Sequence, residues 1–239
     1  MKQKIMVMIP TYNEEKNVSI IARRIIKYVP NAEIVFVDDN SPDGTSEEVL
    51  KLWKKNKKIH LLLRKEKKGR GYAGRDGFIY CLRKGADIIV EMDADLTHNP
   101  KYIPQMIKEL KSYDVVLGSR SVKGAKDVER SLFRKIVTIA ANNYIRILLG
   151  IKIKDCNSGY RCFRRSALES ISPENLFSSG ADIVQEVLYK LVVKGQKIKE
   201  IPIVFEERKF GETTKSLPDF IRGLNIVFKL RMLHLMGKL

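Results

Sequence analysis

No uninterrupted apolar run in the 239 residues approaches the roughly 18–20 that a membrane-spanning helix needs. Cysteine is scarce: Cys81, Cys156 and Cys162 cannot close a disulfide framework, and no CxxC pair offers a structural zinc site. A reduced intracellular compartment is therefore expected. With the strand-like MKQKIMVMIP at the start, no signal peptide is expected. Acidic residues are also in short supply, with 28 Asp+Glu against 45 Lys+Arg and a formal charge of +17. That excess points to an anionic partner such as nucleic acid, anionic lipid or a phosphorylated substrate. With only 8 prolines, it fits a lysine-rich surface of thermophilic type equally well. At 44% hydrophobic and 31% charged, the chain is neither disordered nor fibrous, and its length suits one domain.

The first 120 residues alternate short apolar runs with helical patterns. Strands are expected at Lys4–Ile9, Glu33–Val37, Ile59–Leu63, Asp87–Met92 and Asp114–Leu117. A helix capped by Asn13 has its apolar face on Val18, Ile21, Ala22, Ile25 and Ile26. Thr45 with Glu48 reads as a capping box, and Asn99-Pro100 as a cap followed by proline at the first helical position. This alternation predicts an α/β fold, a mainly parallel sheet flanked by helices. Residues 121–130 are polar and aperiodic, as in a mobile loop. Beyond them a long helix pattern (Ser131–Leu149), a strand (Gly159–Phe163), a helix (181–194), a strand (Ile198–Phe205) and a basic amphipathic helix from Leu217 complete the chain.

Ligands of an open parallel sheet sit beyond the carboxyl ends of its strands. Here those ends carry Pro10-Thr11-Tyr12-Asn13-Glu14, Asp38-Asp39, Asp93-Ala94-Asp95 and Ser119-Arg120. Acids at strand ends often only cap the next helix, but three acidic ends on one edge are harder to explain that way. Two carboxylates separated by one residue on an extended segment point the same way and can hold a hard cation such as Mg²⁺ or Mn²⁺. Asp-x-Asp also occurs in turns and caps; its place at the end of a buried strand is what raises it here.

Other patterns carry less. Gly69-Arg70-Gly71-Tyr72-Ala73-Gly74 matches GxGxxG but follows the third strand after a basic run, so it reads as a flexible loop opening a helix and not as a dinucleotide site. No Walker lysine motif is present. His60, His98 and His234 stand alone, without metal-ligand spacing.

Taken together, these strings resemble family 2 glycosyltransferases of the GT-A fold, over nearly the whole chain. The carriers are Ile9–Glu14, Val35–Thr45, Met92–His98, Leu117–Arg120, Asp155–Arg161 and Arg208–Glu212. Asp38-Asp39-Asn40-Ser41-Pro42-Asp43-Gly44-Thr45 and Asp93-Ala94-Asp95-Leu96 with His98 favour the branch of dolichyl- or polyprenyl-phosphate mannose synthases. The resemblance implies a metal-dependent, inverting hexosyltransferase, moving mannose from GDP-mannose to a polyprenyl phosphate. Pro10, Tyr12, Glu14, Val37 and Asp39 match nucleoside positions. Asp93, Ala94 and Asp95 match the diphosphate and metal site, with Asp95 as the direct ligand. Arg120 matches a residue facing both phosphates, Arg134 and Thr138 an acceptor-phosphate site, and Arg208 a closing loop. Thr97 stands where relatives often have a metal-contacting Gln. Lys215 comes one place later than the loop's usual lysine.

The resemblance also implies a catalytic domain over 1–216, and a contact with the cytosolic face of a membrane is expected through the basic helix at 217–239. Whether a membrane-protein partner is needed stays open. Two other readings remain: a polyprenyl-phosphate glucose synthase or other family 2 enzyme using a UDP-sugar, and a basic nucleic-acid-binding protein. Against the second, the basic residues are dispersed and no nucleic-acid motif appears, so no nucleic-acid partner is expected.

Overall fold

The computed structural model describes residues 3–65, 69–127, 132–206 and 217–239, without the side chains of Arg134 and of 217–220. Its strands are β1 (Ile5–Thr11), β2 (Glu33–Asp38), β3 (Ile59–Leu63), β4 (Ile88–Glu91), β5 (Val115–Ser119), β6 (Lys126–Asp127), β7 (Arg161–Arg164), β8 (Ile198–Pro202) and β9 (Val204–Phe205). The helices are α1 (Glu15–Tyr28), α2 (Thr45–Lys55), α3 (Arg70–Arg83), α4 (Ile103–Glu109), α5 (Leu132–Leu149), α6 (Arg165–Glu169), α7 (Ile183–Val193) and α8 (Leu217–Leu235). Seven strands form one sheet in the order β3-β2-β1-β4-β7-β5-β8, parallel except for β7.

Alternation along β1 divides the core. Val7 and Ile9 face α1, α2 and α4, where Val18, Ile21, Ile25, Val49, Ile103 and Met106 meet them. Met6 and Met8 face the opposite layer, which α3, α5, α6, α7 and α8 supply. The crossovers through α1 and α2 thus cover one face, and the crossover through α3 covers the other. Between β1 and β4 the connections diverge, and a crevice opens at the carboxyl ends of those two strands.

Several local expectations change. Asn13 does not cap α1; it sits at a φ of 58°, and Glu14 is the residue before the helix. Thr45 lies inside α2, because Gly44 at a φ of 90° makes the turn. Its hydroxyl accepts Glu14 N–H at 2.9 Å and donates to Asp43 at 2.5 Å, tying the first loop to the second and not capping its own helix. The polar segment 121–130 contains β6, which pairs with β9 in a small second sheet. Ile198–Phe205 is not one strand: β8 ends at Pro202, opposite the last residue of β5, and Ile203, whose N–H still donates to Ser119 O, carries the chain on to the β6 pairing. Asn99 behaves as expected, its side chain accepting Lys101 N–H at 3.0 Å.

Candidate active site

Four loops meet at the crevice, and hydrogen bonds across long sequence separations lace them together. Thr11 Oγ1 donates to Asp38 Oδ1 at 3.1 Å, and Asp39 N–H donates to Thr11 O at 3.0 Å. Asp38 is fully buried and also accepts from Ser41 N–H, Ser41 Oγ and Ser46 Oγ, so its carboxylate organises the turn. Asp39 turns the other way. Its oxygens take the Arg64 guanidinium and Gly69 N–H, the latter at 2.8 Å. Pro10, half-buried, is the last residue but one of β1, and Tyr12 and Glu14 lie in the loop after it. Val37 is a core side chain, so only its backbone can reach a ligand.

The acidic turn after β4 is braced from within. Asp95 Oδ1 accepts Thr97 N–H at 3.2 Å and Thr97 Oγ1 at 2.7 Å. Leu96 between them has a φ of 67°, a conformation that costs an apolar residue of order 1–3 kcal/mol and is typical of functional turns. Ala94 is buried at the centre of the turn. Asp93 N–H donates to His98 Nδ1 at 3.1 Å, which leaves the proton of a neutral ring on Nε2. The ring is sandwiched, stacking on Tyr160 at 5.0 Å and meeting Phe205 edge-on at 5.8 Å. Burial, against the pull of Asp93 and Asp95, holds the His98 pKa below its ordinary value, so the ring is neutral at pH 7. His98 is a brace for the turn, as expected of a satisfied core histidine.

Arg120 follows β5 and lies flat against Asp155. Its Nε and Nη2 donate at 2.8 and 2.7 Å, and its backbone N–H donates to the same carboxylate at 2.8 Å. Burial works against both charges, yet the fork keeps the Asp155 carboxyl below its usual range and the guanidinium above its own. The Arg120 guanidinium also faces the Phe205 ring at 5.1 Å. Arg134 and Thr138 are both on α5, about one turn apart, with Thr138 half-buried. Arg208 and Lys215 lie outside the described residues.

The sequence reading missed three site residues. Arg64 pairs with Asp39 and Asp76, Arg70 bridges Glu91 and Asp93, and Asp155 anchors Arg120. The dismissed glycine-rich segment belongs to the site after all. Its residues 69–71 are pinned, with Gly71 N–H on Ser179 O at 2.9 Å, and a Cβ on Gly71 would fall 2.1 Å from Ser178 O. The glycines there admit a neighbouring backbone and not a dinucleotide.

The donor set suits Mg²⁺ or Mn²⁺, since Asp93 and Asp95 offer hard carboxylate oxygens on one short turn. Among the described residues no group of three or more His, Cys, Asp or Glu is placed to hold a metal ion alone. A cation here would take its remaining ligands from a bound diphosphate or water.

The sequence pattern of Glycosyl transferase family 2 matches residues 6–172, from β1 to beyond β7. An undecaprenyl-phosphate mannosyltransferase of Micrococcus luteus is 35% identical over 213 residues, 89% of this chain and 88% of its own length. A polyprenol monophosphomannose synthase of Mycolicibacterium smegmatis is 35% identical over 90% of this chain and 82% of its own. A dolichol-phosphate mannosyltransferase of Pyrococcus furiosus is 35% identical over 95% of this chain, which spans 64% of that longer protein. Among solved structures, glucosyl-3-phosphoglycerate synthase from Mycobacterium tuberculosis, in complex with Mn²⁺, UDP-glucose and phosphoglyceric acid, superposes with a TM-score of 0.68 at 18% identity, covering 98% of this chain and 80% of the other. The architecture is that of GT-A glycosyltransferases. With the family pattern running through the strand ends that build this site, and relatives 35% identical along most of its length, the chain belongs to glycosyl transferase family 2.

Proposed function

We propose that this enzyme transfers mannose from GDP-mannose to a polyprenyl phosphate, with inversion at the sugar carbon. The braced Asp93-Ala94-Asp95 turn at the β1/β4 crevice carries the reading, together with the relatives' shared activity. Asp95, with Asp93, would hold Mg²⁺ or Mn²⁺, which when bound offsets the charge developing on the leaving nucleoside diphosphate. Asp39, Pro10, Tyr12, Glu14 and the Val37 backbone would hold the nucleoside. The nucleophile is a lipid phosphate oxygen. It bonds to the anomeric carbon as the bond to the diphosphate breaks. That oxygen is anionic at neutral pH, so no proton need be removed, which agrees with a site whose histidine is a buried brace. Arg120, oriented by Asp155, and Arg134 with Thr138 would hold the two mutually repelling phosphates. A guanidinium fork suits that task better than an ammonium. Thr97 steadies Asp95 through its hydroxyl, and any contact to the cation goes through the same oxygen. Arg208 and Lys215 would close over the donor.

The decisive assay offers GDP-mannose, UDP-glucose and other donors with a short polyprenyl phosphate and Mg²⁺ or Mn²⁺. Mannosyl-phospholipid formed from GDP-mannose, and lost with chelator, is the expected result. Product from UDP-glucose alone would move the enzyme to the glucose-transferring alternative.

The acceptor also implies a membrane surface. Among the described residues no helix is long and apolar enough to cross a bilayer. Helices α5 and α8 pack together, with Tyr144 Oη donating to Leu224 O at 3.2 Å. Val227 and Leu230 of α8 are buried in the core. Outward, Phe133, Ile136 and Ile147 of α5, Phe228 and Leu235 of α8, and Met236 just beyond α8 are exposed. Lys229, Arg231 and Lys238 accompany them, whereas Arg222 is paired with Asp182, and each cation near an anionic surface contributes about 1 kcal/mol. This pair of helices would lie on the cytosolic leaflet. Flotation with anionic liposomes should retain the wild-type chain and lose a Phe133→Glu/Phe228→Glu variant, both positions being solvent-facing at 75% and 56% exposure. Equal binding of the two would remove this face as the contact.

A further inference from the structure

Glu91 ends β4 and Asp93 and Asp95 follow it at alternate positions in the turn beyond, so three carboxylates crowd one short stretch of chain. Left to themselves they would repel one another and compete for any divalent cation. Arg70, the first residue of α3, stands between two of them. Its Nη2 lies 3.1 Å from Glu91 Oε1 and 3.1 Å from Asp93 Oδ1. Glu91 is fully buried, and its other oxygen faces Arg161 Nε at 4.0 Å. Arg161 in turn is committed to the carbonyls of Ser158, at 2.7 Å, and Val184, at 2.5 Å. It therefore cannot swing in to replace Arg70.

The surroundings fix Arg70 just as firmly. Gly69 N–H is held by Asp39 and Gly71 N–H by Ser179, so the start of α3 has little freedom. Opposite, Gly159 leaves the room the ion pair needs. A Cβ there would lie 3.3 Å from Arg70 Nη2 and 3.6 Å from both Asp93 carboxylate oxygens.

We propose that Arg70 is a positioning residue that assigns the divalent cation to Asp95, by engaging Glu91 and Asp93 and lowering their hold on it. The inference rests on the metal-dependent reading of the site given above. With Arg70 in place, the cation is held by few protein oxygens and keeps coordination positions open for a diphosphate. Without it, the charge of Asp93 and Glu91 is no longer offset by Arg70, and the site gains affinity for the bare metal while losing affinity for the metal–nucleotide pair. A residue that merely ties α3 to β4 would not separate these two quantities, because loosening the site would weaken both.

The test measures Mn²⁺ binding to nucleotide-free protein by electron paramagnetic resonance, and GDP binding at saturating Mn²⁺ by calorimetry. Arg70→Leu removes the charge and keeps most of the volume. It should bind bare Mn²⁺ on the order of tenfold more tightly, because one positive charge near a divalent ion is gone. GDP binding in the presence of Mn²⁺ should weaken by a similar factor. Arg70→Lys, which restores the charge, should return bare Mn²⁺ affinity to within about twofold of wild type. Should the leucine variant fail to fold, Arg70→Gln tests the same loss of charge while keeping a hydrogen bond to the carboxylates. Mn²⁺ affinity that is unchanged or lower in the uncharged variants overturns the proposal. Asp95→Ala serves as the control. GDP binding that depends on Mn²⁺ as strongly in it as in the wild type, or that does not depend on Mn²⁺ in the wild type, overturns the metal reading itself.

Discussion

Asp95→Ala is expected to lower mannosyl transfer by about two to three orders of magnitude, the usual consequence of removing a preorganised group that stabilises charge developing in a transition state. Asp95 is the carboxylate that the turn positions most tightly, with two donors from Thr97 and a strained Leu96 between them. That bracing costs stability which only a functional role explains. The variant should remain folded but lose about 1–3 kcal/mol, because Asp95 and Thr97 are both buried and the substitution takes the acceptor from the Thr97 hydroxyl and amide. Release of the Leu96 strain partly offsets the lost hydrogen bonds. Turnover and a circular dichroism melt, read together, decide the matter. A folded Asp95→Ala enzyme that works within a few-fold of wild type would refute the metal assignment.

Asp155→Asn should have the largest effect on stability. Asp155 is wholly buried, the Arg120 side chain is 13% exposed, and three hydrogen bonds of 2.7–2.8 Å join them. Removing one partner of such a pair leaves a buried charge uncompensated and costs about 3–5 kcal/mol. The amide also turns an N–H towards a guanidinium that has no acceptor to offer. Turnover should fall as well, since misplacing a phosphate-binding fork by about 1 Å can cost on the order of a hundredfold. The effect on stability has a signed pH dependence. Despite burial, Arg120 holds the Asp155 carboxyl below its ordinary value of 3.8. Its contribution is thus fully present above that value and is lost as pH falls through the lowered one. The gap in urea midpoint between wild type and Asp155→Asn should be constant near neutrality and narrow in acid. A gap that widened as pH fell would contradict the ion pair.

Periodicity made much of the fold legible. Short continuous apolar runs such as residues 5–9, and the 3.6-residue spacing of Val18, Ile21, Ala22 and Ile25 between them, are local signals, and they placed the first five strands to within a residue or two. Boundaries were read less well where a side chain serves a distant loop. Thr45 looked like a cap because its sequence neighbours allow one, yet its hydroxyl answers Glu14, 31 residues away. The polar segment before α5 hid β6 because a two-residue strand has no period to detect, and its partner β9 lies far along the chain. The run Ile198–Phe205 looked continuous because its β-branched residues straddle Pro202, yet its partner β5 ends opposite Pro202 and the chain pairs next with β6.

The sequence alone determined the chemistry at the strand ends: acids after β2 and β4, an arginine after β5, and one edge of a parallel sheet to collect them. Strand polarity requires this, since every parallel strand delivers its carboxyl end to the same side. Only the tertiary structure decided which charges meet. Arg64 with Asp39, Arg70 with Asp93 and Arg120 with Asp155 are separated by 25, 23 and 35 residues, on elements that crossovers bring together. A glycine-rich loop that matched the wrong motif became part of the site because Ser178 and Ser179 pack against it, and no local pattern encodes that approach. Pairwise electrostatics depends on distance in space, and that distance is fixed only once the helices have covered the sheet.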